Sequence, residues 1–395
     1  MPSQQLKIYN GKIITADRII PGGVLLVTGE TITVVSEHDI EAKDAVSIDA
    51  EGKYISPGFI DIHVHGGGGH DFMDGTLKAF LEIAKTHAKF GTTSMLPTTL
   101  TSTKEELLQI LDLYEQANEQ NQEGAQFIGM HLEGPYIAKS QAGAQDPRYI
   151  RNPDPEEYED ILTRYNNVKR WSAAPELNGA IRFGEYLISK KILPAIAHTD
   201  AIYEEVCEAF EKGYTHATHF YSAMSGVIRR NGFRYAGVIE SAYLNDQMTV
   251  EIIADGVHLP PALLKLVYKI KGPHCTALIT DAMRAAGMPP GESVLGSLHN
   301  GIKVIVEDGV AKLPDRSSFA GSVATTDRLV RNMIALASVP LQEAVRMMSA
   351  TPAQIMGVAE KKGSLTPGKD ADIVIFDENI RVCMTIVKGK IVYTA

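Results

Sequence analysis

Two histidines one residue apart, His63 and His65, close the apolar run of "GFIDIHVHGGGGHD", residues 58 to 71, and four glycines follow. Side chains at i and i+2 of a strand share a face, so Asp61, His63 and His65 point the same way. Other runs of strand length end in similar chemistry: Glu133 after "FIGMHL", His198 after "ILPAIA", His219 in "THATH" and Asp281 after "CTALIT". A strand-end histidine taken singly is more often a hydrogen-bonded structural residue than a ligand. The set changes that reading: four imidazoles and two carboxylates are costly to bury unpaired at one rim, and a divalent cation satisfies them all. Mixed His and carboxylate donors suit Zn, with Fe, Mn or Co as alternatives, at one or two ions per subunit. Such an ion lowers the pKa of bound water towards about 7 and polarises a carbonyl, so the expected reaction is hydrolysis. Asp281 is placed to take the water proton and return it to a leaving amine. A plain ligand or a helix N-cap are its other readings.

The elements that must position these residues follow from the apolar pattern. Eight strand candidates end near His65, Pro97, Glu133, Ala174, His198, His219, Asp255 and Asp281, with helical patterns between them. In one of these, residues 77 to 88, Leu77, Phe80, Leu81, Ala84 and Ala88 share a helical face. The economical reading is an α/β fold, a (β/α)8 TIM-like barrel whose C-terminal mouth carries the site; a doubly wound open sheet is the alternative. Both chain ends read as short strands and turns, with Gly29 and Glu30 as a hairpin turn between β-branched runs. This predicts a small β-sandwich domain built from residues 1–55 and 365–395, around a barrel of residues 56–364.

Further residues carry weaker signals. His131 shares a strand face with Glu133 and reads as a packed barrel residue or a support for a ligand. Asp61 either orients a ligand imidazole or is a capped polar residue of the barrel. His38, His70, His87, His274 and His299 lie in polar or helical contexts and are expected at the surface or core edge. Gly66 to Gly69 lack the lysine and spacing of a phosphate loop and read as a flexible turn giving backbone access to the metal.

Composition excludes other classes. A formal charge of -10 and a pI near 5.7 leave no basic stripe for nucleic acid. Cys207, Cys275 and Cys383 are far apart, which fits neither a disulfide framework nor a thiolate zinc site and suits a reducing cytoplasm. No run of about 18 apolar residues is present, so no membrane span is expected.

"SPGFIDIHVHG", "HLEGPY", "AIAHTDA", "THATHFYSAM", "ADGVHLPP", "LITDAMRAAGM" and "KKGSLTPGKDADIVIFD" together resemble the amidohydrolase superfamily, and within it most closely the N-acetylglucosamine-6-phosphate deacetylases. The resemblance runs over nearly the whole chain. It implies that Glu133, His198 and His219 bind a principal metal, that His63 and His65 bind a second bridged by Glu133, and that Asp281 is the proton donor and acceptor. It further implies that His258 touches the substrate near its acetamide. Ala144, Gln145, Ser222, Ala223, Arg230, Phe319, Ala320 and Gly321 would hold a phosphorylated amino sugar. A homodimer is implied, with Arg230 reaching towards the neighbouring subunit. Departures fall on substrate contacts: "SAM" at Ser222 to Met224 stands where the family usually has Asn-Ala-Met, "RRNGF" replaces Arg-Glu-Pro-Gly, and Gln145 stands where many relatives have His.

Overall fold

A computed structural model describes residues 5–395, so the first four residues of the expected terminal β domain lie outside the described chain. Strand and helix alternate through its middle. The first half runs β1 (Phe59–Val64), α1 (Leu77–Ala88), β2 (Thr92–Thr99), α2 (Lys104–Gln120), β3 (Met130–Glu133), α3 (Pro155–Arg164), β4 (Val168–Ala173) and α4 (Ala180–Ser189). The second runs β5 (Leu193–Ile196), α5 (Tyr203–Glu211), β6 (His216–Ala217), α6 (Val238–Leu244), β7 (Thr249–Ile252), α7 (Pro261–Cys275), β8 (Thr276–Leu278) and α8 (Thr326–Ala337).

Neighbouring strands pair in parallel from β1 to β8. The ring closes where Val64 bridges Ala282 and the His65 and Gly66 amides donate to the Ala282 carbonyl at 2.9 and 2.8 Å. Closure excludes the open sheet.

Alternation along each strand decides what meets inside. In β4, Trp171 faces outward, stacked on Tyr136 at 5.5 Å and edge-on to Phe183 of α4 at 5.1 Å. Its neighbours Arg170 and Ser172 turn inward and are fully buried. Local signals set the helix ends. Thr103 caps α2 by accepting from the Glu106 amide while the Glu106 carboxylate accepts from Thr103 N. The buried face of α1 is turned from the expected one, since Ala79, Ile83 and His87 are buried where Leu81 is half-buried.

Strands from both ends, Gln5–Ile14 through Lys390–Thr394, form one eight-stranded sheet around Ile8, Leu25, Ile55 and Ile373. Gly29, at φ 59, opens the tight turn between Ile19–Thr28 and Thr31–Ser36. Buried Lys362 joins this sheet to the barrel, reaching Asp372 at 2.7 Å, Asp370 at 3.0 Å and Gln126 at 2.7 Å.

A four-stranded antiparallel sheet that the sequence reading missed spans Gly291–Leu295, Ile302–Glu307, Val310–Lys312 and Phe319–Ser322. Its signal was present: Asp308-Gly309 between "IKVIVE" and "VAK" is a two-residue hairpin turn, with φ 52 and 76. The sheet hangs from the end of β8, and its last strand pairs back onto Ala282.

Phe183 centres an aromatic cluster with Tyr136, Tyr158 and Trp171 at 5.0–5.1 Å. Phe183→Ala is expected to cost about 3–5 kcal/mol. Equilibrium denaturation checks this, and an unshifted midpoint would contradict the outward packing of β4.

Candidate active site

His63 and His65 lie at the end of β1, Glu133 ends β3, and His198, His219 and Asp281 follow β5, β6 and β8 within three residues. All six are buried. His198, His219 and Asp281 have left-handed backbones, with φ of 45, 26 and 47. For non-glycine residues this is strain of order 1–3 kcal/mol each. The surrounding ladder holds it: Asp281 N donates to His63 O, and Ser322 N donates to Asp281 O. The turn out of each strand swings the side chain over the mouth.

Proton positions on the imidazoles follow from their outer partners. His65 Nδ1 meets Thr98 O at 3.3 Å, His198 Nδ1 meets Gln141 O at 2.7 Å, and His219 Nδ1 meets Ser222 O at 3.2 Å. His63 Nδ1 meets Glu251 Oε1 at 2.8 Å. Carbonyls and carboxylates only accept, so each Nδ1 carries a hydrogen and Nε2 is the atom each ring turns inward, available to an ion once it holds no proton.

Those inward atoms converge. The Nε2 atoms of His63 and His65 are 3.2 Å apart, as are those of His198 and His219. Glu133 Oε1 lies 3.0 Å from His219 and 3.2 Å from His198, while Oε2 lies 3.3 Å from His65. Donors at about 2.0–2.1 Å around a tetrahedral ion stand roughly 3.3–3.4 Å from one another. The set therefore fits a divalent metal: Glu133, His198 and His219 form one triad, and His63, His65 and Glu133 another.

Beneath this rim sits a charge pair. Arg170 of β4 reaches both oxygens of Glu251 of β7, at 2.6 and 2.8 Å, and neither residue is exposed. Glu251 also accepts from His216 Nε2 at 3.1 Å and from the His219 amide at 3.2 Å. Burial opposes charge on Glu251, but the guanidinium, His216 and His63 outweigh it and hold its carboxyl well below the ordinary range. Sequence reasoning missed Arg170, His216 and Glu251. Glu251 stood inside "VEIIAD" and Arg170 in "KRW"; the one available signal was a charged residue at an inward position of a buried strand.

Above the metal ligands opens a cavity of about 430 Å³ lined by Asp281, His258, Gln145, Ser222, Phe319 and others. Asp281 Oδ1 stands 3.1 Å from His65 Nε2 and 3.4 Å from His63 Nε2. His258 gives its Nδ1 hydrogen to Asp255 Oδ2 at 2.7 Å, which leaves Nε2 for the cavity. Asp255 was the missed partner, three residues before His258 in "DGVH".

Residues 54–392 match the amidohydrolase family. The chain belongs to that family.

This amidohydrolase is 34% identical over 372 residues to the N-acetylglucosamine-6-phosphate deacetylase of Lysinibacillus sphaericus, covering 91% of this chain and 90% of that one. It is 33% identical over 347 residues to the N-acetylgalactosamine-6-phosphate deacetylase of Escherichia coli O157:H7, covering 86% and 88%. Among solved structures it resembles a variant N-acetyl-D-glucosamine-6-phosphate deacetylase of Mycobacterium smegmatis in complex with N-acetyl-D-glucosamine-6-phosphate. The TM-score is 0.89, at 29% identity and full coverage of both chains.

The structure of this amidohydrolase also sorts the remaining sequence candidates. Ala144, Gln145, Ser222, Ala223, Phe319 and Gly321 line the cavity, whereas Ala320 is buried behind it. Gln145 is committed to the metal side: its Oε1 accepts from Thr101 N, which turns its NH2 towards Glu133 Oε2 at 2.7 Å. Arg230 is not brought to the cavity within one chain. It sits on the exposed hairpin Ile228–Arg230/Phe233–Tyr235, 5.7 Å over the Tyr235 ring.

Asp61 does not orient an imidazole; it accepts from Thr280 Oγ1 at 2.5 Å and from the Thr280 and His63 amides, tying β1 to the chain just after β8. His131 is a packed barrel residue, bonded to Ser172 Oγ at 2.7 Å and edge-on to the His63 ring at 4.6 Å. His87 is a correction. It is fully buried, with Nε2 2.9 Å from Gly66 O, because the glycine turn folds down over α1. That turn is also not a flexible access to the metal. A Cβ on Gly66 would lie 2.4 Å from His70 O and one on Gly67 2.8 Å from His87 Nε2, so the glycines allow a close-packed hairpin that Arg284 pins through Gly69 O.

Glu251→Gln leaves Arg170 without its countercharge and weakens the hold on His63. The expected result is a loss of about 3–5 kcal/mol of stability and about 10–100-fold in metal affinity. Thermal unfolding and metal analysis of purified protein check both, and a variant matching the parent in both would show the pair to be dispensable.

Proposed function

We propose that the chain hydrolyses the acetamide of N-acetyl-D-glucosamine 6-phosphate, giving acetate and D-glucosamine 6-phosphate. The observation that carries this reading is the set of four imidazoles whose Nδ1 hydrogens are spent outward and whose Nε2 atoms converge beside Asp281 at the base of a cavity. The similarity to deacetylases of N-acetylhexosamine 6-phosphates supports the choice of substrate.

Glu133, His198 and His219 would hold one divalent ion, and His63 and His65 with Glu133 a second. When bound, such an ion supplies Lewis-acid polarisation of a carbonyl and a water of lowered pKa. Asp281 takes one proton from the attacking water as its oxygen adds to the acetyl carbon. The same carboxyl then passes that proton to the nitrogen as the C–N bond breaks. His258, oriented by Asp255 through Nδ1, turns Nε2 to the acetamide end of the substrate. Ala144, Gln145, Ser222, Ala223, Phe319, Ala320 and Gly321 shape the sugar site, with Gln145 acting through Glu133. Zinc is the metal of this reading, in a cytoplasmic homodimer whose Arg230 hairpin faces the neighbouring subunit's site. Among the described residues no helix is long and apolar enough to cross a membrane.

The galacto epimer is a second reading, supported by the 33% identity to the N-acetylgalactosamine-6-phosphate deacetylase of Escherichia coli O157:H7. Acetate release from the two 6-phosphates decides between them. Asp281→Asn is expected to lower kcat by about 10²–10⁴-fold while retaining metal and fold. Full turnover by this variant would remove Asp281 from the reaction. Chelation should abolish acetate release and added Zn should restore it.

A further inference from the structure

We propose that Arg328 of α8 is a positioning residue that sets His258 against Asp281 across the cavity, by tying the backbone of the His258 turn to the strand that braces Asp281. The inference rests on the deacetylase reading and adds to it a residue that lies outside the cavity lining.

The half-buried Arg328 sends one nitrogen to each of two segments. Nη2 donates to Asp255 O at 3.0 Å, and Nη1 donates to Gly309 O at 3.3 Å. Both acceptors lead to the site within a few residues. Asp255 opens the turn that carries His258: its Oδ1 accepts from the Val257 and His258 amides at 2.8 Å, and its Oδ2 accepts from His258 Nδ1 at 2.7 Å. Gly309 precedes Val310, whose strand partner Ser322 donates its amide to Asp281 O at 2.8 Å. The guanidinium therefore spans the backbones behind two groups that face one acetamide.

Its charge is not spent on the carboxylates nearby in sequence. Asp327, beside Arg328, pairs with Arg331 at 2.7 Å, and Asp308, beside Gly309, pairs with Lys312 at 2.6 Å. A hydrogen bond with one ionised partner is roughly twice as strong as a neutral one, and the planar fork holds its nitrogens at a fixed spacing, so the two carbonyls are held at one separation. The helix behind Arg328 is a firm base. Thr326 Oγ1 donates to Phe90 O at 2.8 Å just ahead of β2, and Asn332 Nδ2 donates to Ala254 O at 2.9 Å. Gly256 of the His258 turn lies so near that a Cβ there would stand 2.9 Å from Leu336 Cδ1. Arg328, Asn332 and Leu336 share one face of α8, and that face seats the turn. On the cavity side the His258 and Phe319 rings are 4.8 Å apart, a contact without the directionality of a hydrogen bond.

The test compares the intact, metal-loaded parent with Arg328→Ala, Arg328→Lys, His258→Ala, the Arg328→Ala/His258→Ala pair and Arg331→Ala. The last removes bonds from the same helix to two other carbonyls, Asn379 O and Ile380 O. Acetate release is measured on both N-acetylhexosamine 6-phosphates, D-glucosamine 6-phosphate binding by calorimetry, and the His258 Nδ1 proton by NMR. In Arg328→Ala, kcat should fall at least about tenfold, with KM and affinity for the amine product changed less than about threefold because the sugar contacts stay in place. Arg328→Lys should recover part of kcat, since an ammonium lacks the fork that spans both carbonyls. The His258 proton, identified by its absence in His258→Ala, should move in Arg328→Ala and keep its position in Arg331→Ala. Once His258 is alanine, removing Arg328 should cost less than about threefold. Arg328→Gln, too short to span both carbonyls, carries the same expectations should Arg328→Ala not fold. Either an unmoved proton or a parental kcat from an active parent overturns the proposal, and so does an equal loss of kcat in Arg331→Ala. A parent that releases no acetate, while Arg328→Ala moves the His258 proton, upholds this inference and overturns the deacetylase reading.

Discussion

A carboxylate and a guanidinium, both without water, sit on the barrel's inner face and touch four of its strands or their ends. Arg170 holds both oxygens of Glu251 and also donates to Ile62 O and Thr218 Oγ1. Glu251 in turn fixes the His63 ring and the His219 amide. Neither charge is tolerable alone at this depth, because the desolvation cost of one is offset only by the other in good geometry. The pair therefore fixes the spacing of β1, β4, β6 and β7 more tightly than apolar packing would, and two metal-ligand positions inherit that rigidity.

On this base the site concentrates its strain at the ends of strands. The left-handed turns at His198, His219 and Asp281 are unfavourable for side chains with a Cβ. They persist because ladder hydrogen bonds and outward Nδ1 contacts over-determine them. The consequence is pre-organisation: imidazoles locked in one tautomer lose little freedom when an ion arrives. Nε2 atoms that face one another at 3.2 Å stand at the spacing of two ligands on one ion.

Loops supply what the barrel does not. The added four-stranded sheet brings Phe319 and Gly321 over the mouth, and the His258 turn closes another side of the same cavity. The buried histidines and carboxylates thus sit at strand ends, while much of the remaining cavity wall comes from loops. The departures from the family pattern at Ser222 and the Arg230 hairpin fall on loops, whereas Gln145 bonds Glu133 directly.

The repeating strand and helix periods, and the residues that end each strand, were legible in the sequence, because side-chain direction along a strand is a local property with period two. That was enough to name His63, His65, Glu133, His198, His219 and Asp281. The opposite outcome met residues whose meaning depends on distant partners. Glu251 reads as an interruption of an apolar run until Arg170, 81 residues earlier, is seen against it. His87 reads as polar until the glycine hairpin covers it, and Arg230 reads as a cavity residue until its hairpin is seen outside the cavity of its own chain. Sequence by itself determined which side chains share a face; only the closed barrel decided which faces meet, because that contact is set by ring closure and long-range pairing rather than by any neighbour along the chain.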